Sequence, residues 1–103
     1  MHDGKAQRRW TFVIEASDAP DQLLRVLNPF VVVGAWPCAA SLERRAHGVT
    51  IRIEAEPLEP RRAETLHWRL RALPGVASVA MSWRQAAPMS PHVARTALTA
   101  DAG

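Results

Sequence analysis
Arg44-Arg45-Ala46-His47-Gly48-Val49-Thr50-Ile51-Arg52-Ile53-Glu54-Ala55 reads as a turn feeding a strand. Val49, Ile51, Ile53 and Ala55 fall on one face; Thr50, Arg52 and Glu54 fall on the other. One apolar and one polar face at a period of two is the pattern of a sheet covered on one side only. Gly48 supplies the backbone angle that a tight turn needs. Upstream of that turn, residues 38–45 predict a weaker strand with Leu42 as its core candidate, so the two strands form a hairpin.

Working outward, each arm of the hairpin meets a helix and then a strand. Trp10-Thr11-Phe12-Val13-Ile14-Glu15-Ala16 predicts the first strand, with Trp10, Phe12 and Ile14 on one face. Ser17-Asp18-Ala19-Pro20-Asp21 breaks it and starts a helix. Ser17 or Asp18 is placed to accept from free backbone N–H groups, and Asp21 suits the positive helix end. Leu23, Val26, Leu27 and Phe30 make one apolar stripe, and Gly34 stops the helix. Pro29 interrupts the pattern and is expected to kink the helix or end it early, although the apolar run to Val33 and the stop at Gly34 still suggest one element. On the other arm, Glu56–Pro60 links into a second helix with Ala63, Leu66, Leu70 and Leu73 on its buried side. Pro74-Gly75 ends it, and Val76–Trp83 predicts the last strand.

Strand, helix, strand, strand, helix, strand with right-handed crossovers gives an α+β fold. It is the ferredoxin-like βαββαβ arrangement, a four-stranded antiparallel sheet with two helices on one face. Residues 10–83 form this domain; residues 1–9 and 84–103 are expected to be a flexible N-terminus and C-terminal tail.

Composition narrows the function classes. At 103 residues and 48% hydrophobic, the chain holds one core and not two. With so little apolar surface to spare, a homodimer is expected. The formal charge is +3, almost all of the base being arginine. Those arginines are scattered over several elements, and the open face of Thr50, Arg52 and Glu54 carries no aromatic on which a base could stack, so no nucleic acid is expected. No apolar run approaches membrane-spanning length and the N-terminal residues are polar, so the expectation is a cytoplasmic chain that binds no membrane. The single cysteine, Cys38, reads as a small buried residue. His2, His47, His67 and His92 are isolated in sequence, and no Ser-, Cys- or carboxylate-centred catalytic pattern is visible. The reading is therefore a non-enzyme with no metal and no cofactor.

Two stretches resemble the ACT domain family. Asp18-Ala19-Pro20-Asp21-Gln22-Leu23-Leu24-Arg25-Val26-Leu27, with Phe30 and Gly34 beyond, is similar to the family's first loop and helix, Asp-x-Pro-Gly-x-Leu-x-Arg-Val. Leu70-Arg71-Ala72-Leu73-Pro74-Gly75-Val76-Ala77-Ser78-Val79 is similar to its turn into the last strand. Short stand-alone ACT-like proteins and the regulatory small subunit of acetolactate synthase are the members it looks most like. The resemblance implies a regulatory module that senses an amino acid or serves an enzyme large subunit, with Ser17, Asp18, Ala19, Asp21 and Gln22 as ligand-binding candidates. At Asp21 the sequence departs from the family, whose amino-acid binders carry glycine there. A carboxylate at that point repels a ligand's carboxylate and favours the alternative, a ligand-free interaction or dimerisation module. Trp68 points away from the Leu66–Leu70–Leu73 stripe and is the interface candidate.

The absence of any periodic apolar pattern beyond Arg84 generates a prediction. A chain ending at Arg84 melts as cooperatively as the full chain by circular dichroism; loss of the cooperative transition would place the tail in the core.

Overall fold
The computed structural model describes residues 8–85. Its elements are β1 (Arg8–Ala16), α1 (Gln22–Val33), β2 (Pro37–Arg45), β3 (Gly48–Ala55), α2 (Pro60–Arg71) and β4 (Val76–Gln85). They form a four-stranded sheet of order β2-β3-β1-β4 in which every neighbouring pair is antiparallel. The ferredoxin-like βαββαβ arrangement read from the sequence is the fold. Of the segments 1–9 and 84–103 expected to be flexible, residues 1–7 and 86–103 lie outside the described residues, whereas Arg8 and Arg9 belong to β1 and Arg84 and Gln85 to β4, which begin and end two residues beyond the expected strands.

Alternation in β1 and β3 determines what is buried. Trp10, Phe12, Ile14 and Ala16 of β1, and Val49, Ile51, Ile53 and Ala55 of β3, point under the helices and are buried. Phe12 pairs across the sheet with Ile53 on one side and Met81 on the other. Its ring meets that of Phe30 of α1 edge to face, with centroids 5.5 Å apart and planes at 88°. From α2, Ala63, Leu66 and Leu70 complete the core. The linker before α2 is held as well: Arg8 and Leu58 exchange backbone hydrogen bonds of 3.1 and 2.9 Å, and the Trp10 indole N–H donates to the Leu58 carbonyl at 3.3 Å.

The single helix suggested by the apolar run to Val33 and by Gly34 is found, while the readings of Leu42 and Cys38 are corrected. Pro29 does not end α1, which runs unbroken to Val33. Its missing N–H leaves one carbonyl free, while its ring is buried against the core in exchange. The helix stops at Gly34 in the left-handed region, φ 83°, where the Gly34 N–H donates to the Phe30 and Val31 carbonyls and the Ala35 N–H to that of Phe30. Leu42 is not a core residue. It lies opposite Ile51 on the helix side, yet it is 40% exposed, because β2 is the sheet edge and α1 does not cover it. Cys38 is exposed rather than buried, at the pairing irregularity between Pro37 and Ala39.

Gly48, at φ 146°, closes the β2–β3 hairpin against the end of β1. A Cβ at this position would collide with the Ala16 carbonyl oxygen, which is backbone and has no freedom to retreat. Gly48→Ala is therefore expected to destabilise the fold by about 2 kcal/mol or more, measured by urea denaturation.

Candidate functional site
The end of the sheet where β1 gives way to α1 is hollow. A cleft of about 450 Å³ is lined by Glu15, Ala16 and Ser17 at the end of β1, by Arg45–Val49 of the hairpin, and by Gly75 and Ala77 where α2 turns into β4. The three segments meet because β1 lies between β3 and β4, so the hairpin turn and the α2–β4 turn flank its C-terminal end. The Ser17 N–H donates to the Gly75 carbonyl at 2.8 Å and fixes the floor. Gly75, at φ 85°, is packed so closely that a Cβ there would lie 2.7 Å from Ser17 Oγ and 3.1 Å from Gln22 Nε2.

The rim carries both signs of charge. Arg45 donates through Nε to Thr50 Oγ1 at 3.1 Å, and the Thr50 hydroxyl donates to Glu15 Oε1 at 2.8 Å. A second nitrogen of Arg45 pairs with Glu43 at 3.0 Å. The Thr50 hydroxyl thus links a guanidinium to a carboxylate at the rim, and His47 and Ser17 also line the cleft. The set suits a small ligand bearing one positive and one negative end, and every group in it is a side chain or backbone of the described residues.

The five residues expected to bind a ligand are distributed unevenly. Ser17 lines the cleft. Gln22 is fully buried beside Gly75, and among the described residues neither Oε1 nor Nε2 of its amide has a hydrogen-bond partner. The Ala19 carbonyl accepts the Gln22 backbone N–H at 3.0 Å, which uses one of the free donors at the helix start. Asp18 does not cap the helix; it forms an ion pair with Arg44 at 2.7 Å and ties the loop to β2. Asp21 occupies the N-cap position without a side-chain cap and instead pairs with Arg25, one turn on, at 2.9 Å. Its negative charge is directed to a guanidinium rather than to the helix N–H groups. Both pairs are about half exposed or more, so each contributes at most a few tenths of a kcal/mol to about 1 kcal/mol. Glu15, Arg45, His47 and Gly75 were missed as site residues; nothing local in the sequence links them, since only the strand order gathers them. Trp68 is exposed as expected, but its ring is engaged by His67, edge to face at 5.1 Å, and by Arg71, whose guanidinium lies 5.6 Å away. Among the described residues no group of three or more His, Cys, Asp and Glu could hold a metal ion, and no helix is long and apolar enough to cross a membrane.

The ACT-like domain family matches residues 3–89, which takes in every element of the sheet and both helices. The chain belongs to the ACT-like domain family. ACT domains are small regulatory ligand-binding modules rather than catalytic ones. The ACT domain of a GTP pyrophosphokinase from Chlorobium tepidum superposes with a TM-score of 0.64 at 14% identity, covering 74% of this chain and 99% of that one. The C-terminal domain of the MgtC protein from Mycobacterium tuberculosis gives 0.62 at 11%, covering 87% of this chain and all of that domain, 100%. A homoserine dehydrogenase from Thiobacillus denitrificans gives 0.61 at 13%, covering 77% of this chain but only 17% of the dehydrogenase. At such identities these likenesses show the shared ACT-like fold. No curated protein matches the chain in sequence.

The buried Gln22 amide generates a test. An amide desolvated without partners costs about 1–3 kcal/mol, and methionine fills a similar volume without that cost. Gln22→Met is therefore expected to raise stability by about 1 kcal/mol or more, read as a higher urea midpoint at unchanged slope.

Proposed function
We propose that this chain is a cytoplasmic amino-acid-sensing module that regulates an enzyme of amino-acid biosynthesis, acting as a small subunit of the kind its loop resembles in acetolactate synthase. The observation that carries this reading is the two-signed rim of the cleft, where the Thr50 hydroxyl links Glu15 to Arg45. An α-amino acid presents an ammonium and a carboxylate a short distance apart. Glu15 would take the first and Arg45, aided by His47, the second. The first-turn N–H groups of Leu23 and Leu24 have no intrahelical acceptor and add a positive field beside the cleft. Regulation follows from coupling: a ligand that favours one arrangement of the loop and hairpin shifts the population an enzyme partner meets.

A second reading, a ligand-free interaction module, is favoured by Asp21, whose carboxylate stands where the family's amino-acid binders have glycine. Its pairing with Arg25 reduces the repulsion without removing it.

Calorimetric titration with small and branched amino acids separates the two. Asp21→Gly removes a carboxylate at the head of α1 and frees Arg25 from its pair. It costs about 0.3–0.5 kcal/mol for the lost pair and up to about 1 kcal/mol of backbone entropy. The expected result is weak binding by the native chain, tightened about tenfold in Asp21→Gly (a factor worth about 1.4 kcal/mol) and lost in Arg45→Ala. Tight native binding abolished in Asp21→Gly would make Asp21 itself a ligand contact. Heat from neither form would leave the interaction-module reading.

A further inference from the structure
The open face of the sheet carries a cluster of charge that neither the core nor the cleft accounts for. Arg9, Thr11, Arg52, Glu54, Ser82 and Arg84 surround a hollow of about 190 Å³. Strand register puts these residues on the face away from the helices. Thr11 lies between Glu54 of β3 and Ser82 of β4, Arg9 pairs with Arg84, and Arg52 pairs with Val13. Arg9 and Glu15 share that face at opposite ends of β1, about 20 Å apart along the strand, so the hollow is separate from the cleft. Its charges are unresolved. Arg9 stands directly opposite Arg84, and like charges facing one another on neighbouring strands cost stability. Elsewhere arginines are matched at 3.0 Å or less: Arg25 with Asp21, Arg44 with Asp18 and Arg45 with Glu43. Here Glu54 reaches Arg52 only at 4.0 Å, and no carboxylate among the described residues pairs with Arg9 or Arg84.

We propose that this hollow binds a small soluble phosphate, free or as the monoester of a small metabolite. The donor set selects that chemistry. Three guanidiniums and two hydroxyls, those of Thr11 and Ser82, stand against the one carboxylate of Glu54. The two oxygens of a ligand carboxylate lie in one plane and are satisfied by a single guanidinium fork, whereas the tetrahedral oxygens of a phosphate accept from several directions at once. The arginines come from three adjacent strands, spaced about 4.8 Å apart, so they approach one bound group from different sides. Size agrees. The hollow is smaller than the roughly 300–1,000 Å³ of pockets that take drug-sized ligands. A second hollow of about 150 Å³, lined by Ala39, Ala40 and Ser41, adjoins it across Arg52 and Glu54 and gives the organic part of a monoester a place to lie. A nucleic-acid strand fits less well, because the cations gather round one point instead of forming a track. Trp83 at the rim is not a free stacking platform either: the Arg8 guanidinium lies 3.8 Å from its ring, and Trp10 is 6.3 Å away. A bound phosphate neutralises the facing arginines, so binding stabilises the end of the sheet where β1 meets β4.

Calorimetric titration of the full-length chain with inorganic phosphate, in a buffer free of other multivalent anions, tests this assignment independently of whether the cleft binds an amino acid. The native chain is expected to bind saturably. Affinity is expected to fall about tenfold in Arg84→Gln and about a hundredfold or more in Arg9→Gln/Arg84→Gln. Without phosphate the double variant is expected to melt at or above the native temperature, since the like-charge pair is gone. Phosphate is then expected to raise the native melting temperature by more than that of the double variant. Arg45→Ala, which removes the cation of the cleft, is expected to bind phosphate as the native chain does. Glycerol 3-phosphate is expected to bind at least as tightly as inorganic phosphate, and vesicles containing phosphatidic acid are expected not to sediment the chain. Absence of saturable heat would overturn the proposal, as would binding that survives the double variant or disappears in Arg45→Ala. An equal rise in melting temperature for both forms would be the general effect of an excluded salt and would count against the site in the same way. A double variant that melts well below the native chain in phosphate-free buffer would make the arginine pair structural and end the argument. Capture by the vesicles, with no response to either soluble phosphate, would assign the face to a lipid headgroup and overturn the proposal as stated.

Discussion

The edge-to-face contact of Phe12 with Phe30 is the joint on which the rest of the domain depends. Phe12 is at the middle of the central strand and Phe30 in the last turn of the first helix. An aromatic pair in this geometry adds about 0.5–1.5 kcal/mol beyond the area it buries. More important is what it locates. With Phe30 fixed over β1, Val26 follows it into the core and Gln22 is carried toward Gly75 at the head of the helix. The closeness of Ser17, Gln22 and Gly75, and hence the floor of the cleft, follows from a packing contact a little over two helical turns away.

The same placement explains the uneven finish of the two sheet edges. With α1 anchored on β1 through Phe30 and α2 packed toward β4, the helix layer leaves Leu42 of β2 exposed. The edge facing α1 is left with large apolar side chains in water, while the Trp68 edge has its ring covered in part by His67 and Arg71. A domain of this size has few ways to avoid such a shortfall, since its surface is large relative to its core.

The fold was legible in the sequence wherever a face was fully covered. Val49–Ala55 and Trp10–Ile14 alternate because one side of each meets the helices, and the pattern records that directly. It failed at β2, where Leu42 and Cys38 were read as buried: an edge strand left uncovered imposes little on its side chains, so the sequence there carries little signal. At Pro29 it offered an early end beside a single element and could not choose between them from the proline alone, because the loss of one hydrogen bond is local while the burial that offsets it is tertiary. The candidate site was half legible. Ser17 and Gln22 belong to a loop with recognisable helix-start chemistry. Glu15, Arg45, His47 and Gly75 are separated by up to sixty positions, and their meeting is a property of strand order. Asp18 and Asp21 were placed correctly in the chain, but their partners were not, since Arg44 is on another element and Arg25 competes with the helix end for Asp21.

The strand order has a further consequence for how the domain is made. β1 is the centre of the sheet, yet it is the first element to be synthesised and β4, one of its two neighbours, is the last. Until β4 arrives, the Trp10–Ala16 segment can be paired on one side only, by β3, and Met81 and Val79 are missing from its flank. Contacts that join the two ends of a chain form slowly, because the loop between them must be closed first. A nascent chain therefore passes through a stage with its most apolar strand open at one edge, the condition in which partly folded chains pair with one another. Completion of the sheet is thus governed by β4, and a ribosome that stalls before Val76 would leave a sheet in which β1, an inner strand, has become the rim.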